Sequence, residues 1–225
     1  MREEECGDGG VAARRRATAR PTPALRPSSL PSADPALGRS GLYVPDDVPP
    51  AYVALLPHAD VVTPNAFEAE ALTGVRVSDV ASARLAAASL HAAGVATVVV
   101  TSVPGGRGDE IDVVASAAGG GAWRAASPRL AGPFTGTGDL FAALLLVGLH
   151  RHRGDEKEGL GRALAHAARG VAAVCAATAA AAGGAAGTDA PAVRARELRL
   201  IQCVDLLRAG EFESGGVVVE RLPDE

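Results

Sequence analysis

Apolar and polar positions change period several times along the chain, and each change predicts an element. Ala59 to Thr63 is a short apolar run bounded by Pro57 and Pro64, which predicts a strand. "AFEAEALTG" follows with Phe67, Ala71 and Leu72 on one face and Gly74 as a stop, the pattern of a short helix. A longer helix runs through "DVASARLAAASLHAAG", with Ser78 as its expected cap and Gly94 as its close. "VATVVVT" is a β-branched run that predicts a buried strand ending at Thr101. Glycine turns at Gly105 to Gly108 and Gly119 to Gly121 flank the apolar run Ile111 to Ala115 and lead on to Trp123, which predicts a hairpin-like pair. Two helices close the pattern, Asp139 to His150 and an alanine-rich stretch from about Lys157 to Ala182. This order of strands and helices belongs to a three-layer α/β domain.

The first 33 residues do not fit this pattern. "RRRATARPTPALRPSSLPSA" has neither helical nor strand period, so residues 1–33 are expected to be a disordered, low-complexity leader and residues 34–225 the folded domain. Arg-rich, Ser-containing leaders direct some proteins to organelles, but Glu3, Glu4, Glu5 and Asp8 open this one, and such leaders are poor in acids. A cytoplasmic location is therefore expected, with organelle targeting the lesser alternative. No repeat recurs at a solenoid period.

Composition narrows the function classes. A chain of 225 residues, 48% hydrophobic and 21% charged, has ample material for a buried core. A net charge of −4 provides no general basic surface for nucleic acid. Cys6, Cys175 and Cys203 are far apart and lack metal-ligand spacing, so reduced thiols are expected. The apolar run Leu140 to Leu149 is too short to span a membrane, and the alanine-rich stretch after it is broken by glycine, arginine and histidine, so no membrane partner is expected.

Candidate chemistry gathers in three stretches. "FTGTGDLF", Phe134 to Phe141, sets Gly136 and Gly138 at a helix start, where unpaired backbone N–H groups and the helix dipole favour an anion. Thr137 adds a hydroxyl donor, and Asp139 either complements the dipole or accepts a proton from an attacking alcohol. "TPNAFEAE" puts Asn65 and Glu68 three residues apart behind Thr63, a spacing that suits either cation ligands or a helix capping box. "VVVTS" places Thr101 and Ser102 at the carboxyl end of a buried strand, where open α/β sheets bind ligands.

With "GLYVPDDVPPAY" and the late "ELRLIQ", these stretches resemble, in order and spacing, the pyridoxal kinase family of the ribokinase-like superfamily. The resemblance covers about Asp34 to Asp205. It implies a ribokinase-like three-layer α/β domain with a mostly parallel central sheet, amino-terminally truncated because a whole portion precedes the "DPALG" segment in the family. It further implies phosphorylation of the 5′-hydroxyl of pyridoxal, pyridoxine and pyridoxamine by ATP with Mg2+ or another divalent cation. By position, Asp139 is the general base and touches substrate, while Gly136, Thr137 and Gly138 form the anion hole. Asn65, Ala66, Phe67, Glu68, Thr101, Ser102, Leu130, Ala131, Gly132, Thr137 and Gly138 correspond to ATP-site positions. Asp34, Thr63, Glu68 and Thr101 correspond to positions around a monovalent cation, K+ or Na+. Arg39 stands where the family commonly carries an acid, which replaces an ATP-site carboxylate with a cation. A homodimer is implied for a complete chain, and a catalytically impaired fragment that binds nucleotide or a partner subunit is the alternative.

Overall fold

The computed structural model describes residues 48–130, 134–182 and 197–223. The leader, Asp34, Arg39 and the "GLYVP" segment fall outside them, as do Ala131 and Gly132.

The chain opens with α1 (Val48–Leu55), a single 3-10 turn (Leu56–His58) and a two-residue strand, β1 (Val61–Val62). Helices α2 (Ala66–Thr73) and α3 (Val80–Ala92) lead to β2 (Thr97–Pro104), β3 (Glu110–Ala117) and β4 (Ala122–Pro128). Two long helices, α4 (Thr137–Arg151) and α5 (Gly159–Ala181), precede the short α6 (Val204–Ala209) and the last strand, β5 (Val218–Leu222). The five strands form one sheet in chain order.

Alternation along the strands divides the core. Val99, Val113, Ala115, Trp123 and Ala125 face Leu140, Phe141, Leu144 and Leu145 of α4 and Ala163, Leu164 and Ala167 of α5. Val98, Val100 and Val114 point the other way, onto Ala69 of α2 and Ala83, Ala86 and Leu90 of α3. That is the three-layer α/β arrangement: a strand exposes successive side chains to opposite faces, and both faces here are apolar.

The sheet is less parallel than expected. β1 pairs with β2 in parallel, whereas the pairings of β2 with β3, β3 with β4 and β4 with β5 are antiparallel. Glycine turns after β2 and β3 are too short for a crossover, so they can only return the chain as hairpins. Between β1 and β2, α2 and α3 provide the long connection that a parallel pair needs.

Local chemistry moves several boundaries. The cap of α3 is Asp79 rather than Ser78: its carboxylate accepts from the Ser82 N–H at 2.8 Å, and the Ser82 hydroxyl oxygen accepts from the Asp79 N–H at 3.0 Å. β2 does not stop at Thr101 but continues to Pro104 through a bulge between Val100 and Val103, where Ser102 takes a left-handed φ of 56°. α1, α6 and β5 have no counterpart in the predicted order. Pro49 and Pro50 sit in the first turn of α1, where missing N–H groups cost little. β5 is mostly exposed and becomes a strand through its ladder with β4.

α4 and α5 pack closely because Gly148 faces the backbone of Ala163; a Cβ on Gly148 would stand 2.7 Å from the Ala163 Cα. α5 is 23 residues long and apolar enough to cross a membrane by length and composition. In this fold its apolar side, including Leu164, Ala167 and Val174, is buried against the sheet and α4.

Candidate active site

Three of the strands point their carboxyl ends to the same edge of the sheet. β1 runs with β2, and β4 shares the direction of β2 because both are antiparallel to β3. The segments after β1, at the end of β2 and between β4 and α4 all emerge at that edge. They carry the candidate residues.

The first two segments are joined directly. A parallel bridge links Asn65 to Thr101, and the Pro64 carbonyl accepts from the Thr101 N–H at 2.8 Å. Thr63 is half-buried just before this junction, and Ser102 is exposed just after it on the bulge. Bulges redirect side chains, and this one interrupts the ladder to β3 at the two residues expected to face a ligand.

Asn65 and Glu68 form a capping box at the start of α2. The Asn65 Oδ1 accepts from the Glu68 N–H, and the Glu68 carboxylate accepts from the Asn65 N–H, each at 2.9 Å. Of the two readings that their spacing allows, the cap is the one the structure displays. Glu68 is 3% exposed, and burial pushes its carboxyl up from 4.5 to about 7, opposed by the hydrogen bond from Asn65. Ala66 and Phe67 are half-buried beside it, on the first turn. Among the described residues no group of three or more His, Cys, Asp or Glu is placed to hold a metal ion. Thr63, Glu68 and Thr101 are thus close in the chain fold without forming a carboxylate cage, and Asp34 falls outside the described residues.

The raised carboxyl has a consequence for stability. The folded chain retains a proton on Glu68 at pH values where the unfolded chain has lost it, so this contribution is complete below about 4.5 and disappears as pH rises through about 7. The difference is on the order of 1 to 3 kcal/mol. In Glu68→Gln the amide oxygen still accepts from Asn65, so the thermal midpoint is expected to lose its dependence on pH between 5 and 8 at about this scale. Melting both proteins across that range checks it; parallel curves would remove the assignment.

The start of α4 is built differently from those of α2 and α3. Its cap is Gly136, with a left-handed φ of 89° and no side chain to accept from the first-turn N–H groups. Space around Gly138 is open: a Cβ built there meets nothing within 4 Å. Asp139 is exposed in the first turn and makes no hydrogen bond or ion pair among the described residues. Thr137 is half-buried between the two glycines. A helix start with uncapped donors, room for a ligand and an unengaged carboxylate can hold an anion and accept a proton beside it. Leu130, two residues beyond β4, is exposed on the approach to this turn.

Sequence reasoning missed what stands behind the turn. Thr135 forms a parallel bridge with Glu197, and Leu198 approaches within 3.9 Å of the Cβ position of Gly136. The Thr178 hydroxyl accepts from the Arg199 N–H at 3.2 Å, which ties this late segment to α5. "ELRLIQ" carries no local periodicity that announces a partner so distant in the chain. Its likeness to the family motif was its sole signal.

Residues 39–190 match the profile of the phosphomethylpyrimidine kinase family. The putative pyridoxal kinase of Caenorhabditis elegans is 45% identical over 136 residues, covering 59% of this chain and 42% of the relative. The pyridoxal kinase of Sus scrofa is 39% identical over 132 residues, 51% of this chain and 39% of the relative. The chain therefore spans about two fifths of the length of these curated relatives. Among solved structures, the pyridoxal kinase from Leishmania donovani in complex with ADP and pyridoxine superimposes with a TM-score of 0.69 at 34% identity, covering 81% of this chain and 58% of that one. The complex of the same enzyme with ADP has a TM-score of 0.69 at 33% identity.

Proposed function

We propose that this chain, which belongs to the phosphomethylpyrimidine kinase family, transfers the γ-phosphoryl group of ATP to the 5′-hydroxyl of pyridoxal, and of pyridoxine and pyridoxamine. One observation carries the reading: α4 begins at a left-handed glycine without a side-chain cap, with open space at Gly138 and the unengaged Asp139 carboxylate one residue on. Relatives named pyridoxal kinase, and structures of such an enzyme with ADP and pyridoxine, support the choice of nucleotide and acceptor.

The chemistry follows from what the residues can do. Backbone N–H groups of Thr137, Gly138 and Asp139 point along the helix axis toward an anion, and the dipole adds to their attraction for phosphoryl oxygens. Asp139 accepts the proton that the acceptor hydroxyl loses as its oxygen bonds to phosphorus; the leaving ADP carries away the other electron pair. Phosphoryl transfer asks mainly for positioning and charge neutralisation, and a preorganised helix start provides both. Asn65 to Glu68, Thr101 and Ser102 stand at the same sheet edge and would position the nucleotide.

Mg2+ or another divalent cation would neutralise the nucleotide phosphates. Such an ion is held largely by phosphate oxygens and water, so the lack of a carboxylate cage among the described residues is compatible with it. K+ or Na+ would lie nearer Thr63, Glu68 and Thr101. For a complete chain the proposed assembly is a homodimer, and the proposed location is cytoplasmic.

A second reading is favoured by β1. It has two residues and stands at the edge of the sheet, its outer side unpaired among the described residues. Such an edge suits a chain that binds nucleotide and docks against a partner subunit without turnover of its own. The deciding experiment incubates the purified chain with ATP, Mg2+ and pyridoxal and measures pyridoxal 5′-phosphate, alongside the thermal shift produced by ATP. Product and shift together support the kinase reading. A shift without product, restored by adding a full-length relative, supports the second, and absence of both overturns the two.

A further inference from the structure

At the opposite edge of the sheet from the α4 start, a cavity of about 300 Å³ opens between α3 and the turn that joins β3 to β4. His91, in the last turn of α3, and Ser116, near the end of β3, both line it. The imidazole Nδ1 is 2.8 Å from the Val95 carbonyl oxygen, and Nε2 is 2.9 Å from the Ser116 Oγ.

These two contacts define the tautomer. A carbonyl can only accept, so in the neutral ring Nδ1 carries the hydrogen and Nε2 presents its lone pair. The Ser116 hydroxyl is then the donor to Nε2. The backbone holds the ring in this orientation: the Gly94 N–H donates to the His91 carbonyl at 2.9 Å, the Val95 N–H donates to Leu90 at 3.2 Å, and Val95 is fully buried. Arg84, two turns earlier on α3, lines the same cavity and is anchored by donating to the Pro223 carbonyl at 3.0 Å.

We propose that Ser116 and His91 are a nucleophile and its base, and that this cavity hydrolyses small acyl esters independently of phosphoryl transfer. Phosphoryl transfer uses neither residue. In the first step the Ser116 Oγ bonds to the ester carbonyl carbon as its proton passes to His91 Nε2. Arg84, which lines the same cavity, would offset the developing oxyanion charge. Collapse breaks the bond to the alkoxide, which takes the proton from His91 and departs as an alcohol, leaving acyl-Ser116. Water then attacks the acyl carbon while giving a proton to Nε2; that proton returns to Oγ as the carboxylic acid is released. A hydrogen bond that merely tethered α3 to β3 would hold the same distance but would form no acyl-serine.

The test uses the full chain and p-nitrophenyl acetate, without nucleotide. Release of p-nitrophenolate above the buffer rate is expected, with acetyl found on Ser116 by peptide mass mapping. Ser116→Ala and His91→Gln should each lower release by about 100-fold or more, and Ser116→Cys should still become acylated, on the new thiol. Trp123 emission reports whether each variant is folded, since the indole packs beside Gly121 on the same turn. Release at the buffer rate from the unmodified chain overturns the proposal, as does undiminished release from folded Ser116→Ala or acetyl confined to other residues. If Ser116→Ala does not fold, the acetylated residue in the unmodified chain decides: Ser116 supports the proposal, and any other residue overturns it.

Discussion

Replacing Asp139 with alanine is expected to lower turnover of pyridoxal by about 100-fold or more while leaving ATP-dependent thermal stabilisation intact. The side chain is exposed and without a hydrogen bond or ion pair among the described residues, so its removal costs the fold little. The N–H groups that would bind phosphate belong to the backbone and survive the change. Loss in kcat with retained nucleotide binding is therefore the signature of a base, and Asp139→Asn, which keeps the shape but cannot take the proton, should behave alike. Steady-state kinetics of the two variants, with melting curves in ATP, check this. Turnover within a few-fold of the original would remove Asp139 from the mechanism and return it to the role of dipole partner.

The second large effect is structural. In Gly148→Val the new Cβ would stand 2.7 Å from the Ala163 Cα, 3.0 Å from its Cβ and 3.1 Å from its carbonyl oxygen. Two of these neighbours are backbone, so relief requires α4 and α5 to separate rather than a side chain to rotate. Those helices carry much of one core layer, including Leu144, Leu145, Leu164 and Ala167, and loosening them should cost about 3 kcal/mol or more. Urea unfolding followed by the single tryptophan, Trp123, measures it. Gly138→Ala makes the contrasting case. A Cβ meets nothing within 4 Å there and alanine favours helix, so stability should stay within about 1 kcal/mol, while the anion site loses its closest approach. A stable, poorly active Gly138→Ala and an unstable Gly148→Val together would separate the glycine kept open for a ligand from the one that packs helices.

Much of this arrangement was legible because it is encoded within a few residues. "FTGTGDLF" marks a glycine-rich helix start, expected at Asp139, and α4 does begin within it, at Thr137 behind the cap Gly136. "TPNAFEAE" allows a capping box, and both of its hydrogen bonds form. The glycine turns after β2 and β3 announce hairpins, and both are antiparallel. The expectation of a mostly parallel sheet came from family likeness, and those turns, which are local, return the chain as antiparallel hairpins instead. What was not legible rests on distant contacts. β5 depends on a ladder to Ala122–Ala126, and the "ELRLIQ" segment is placed by Thr135, Gly136 and Thr178.

The sequence by itself thus determined the alternating elements, the uncapped glycine start with its aspartate, and the family, because capping, turns and hydrophobic period act over one or two helical turns. Tertiary structure alone decided that Thr101 joins Asn65, that burial holds the Glu68 carboxyl near 7, and that His91 meets Ser116 across the layer boundary. Those properties arise from desolvation and from contacts between segments far apart in the chain, which no local pattern of residues records.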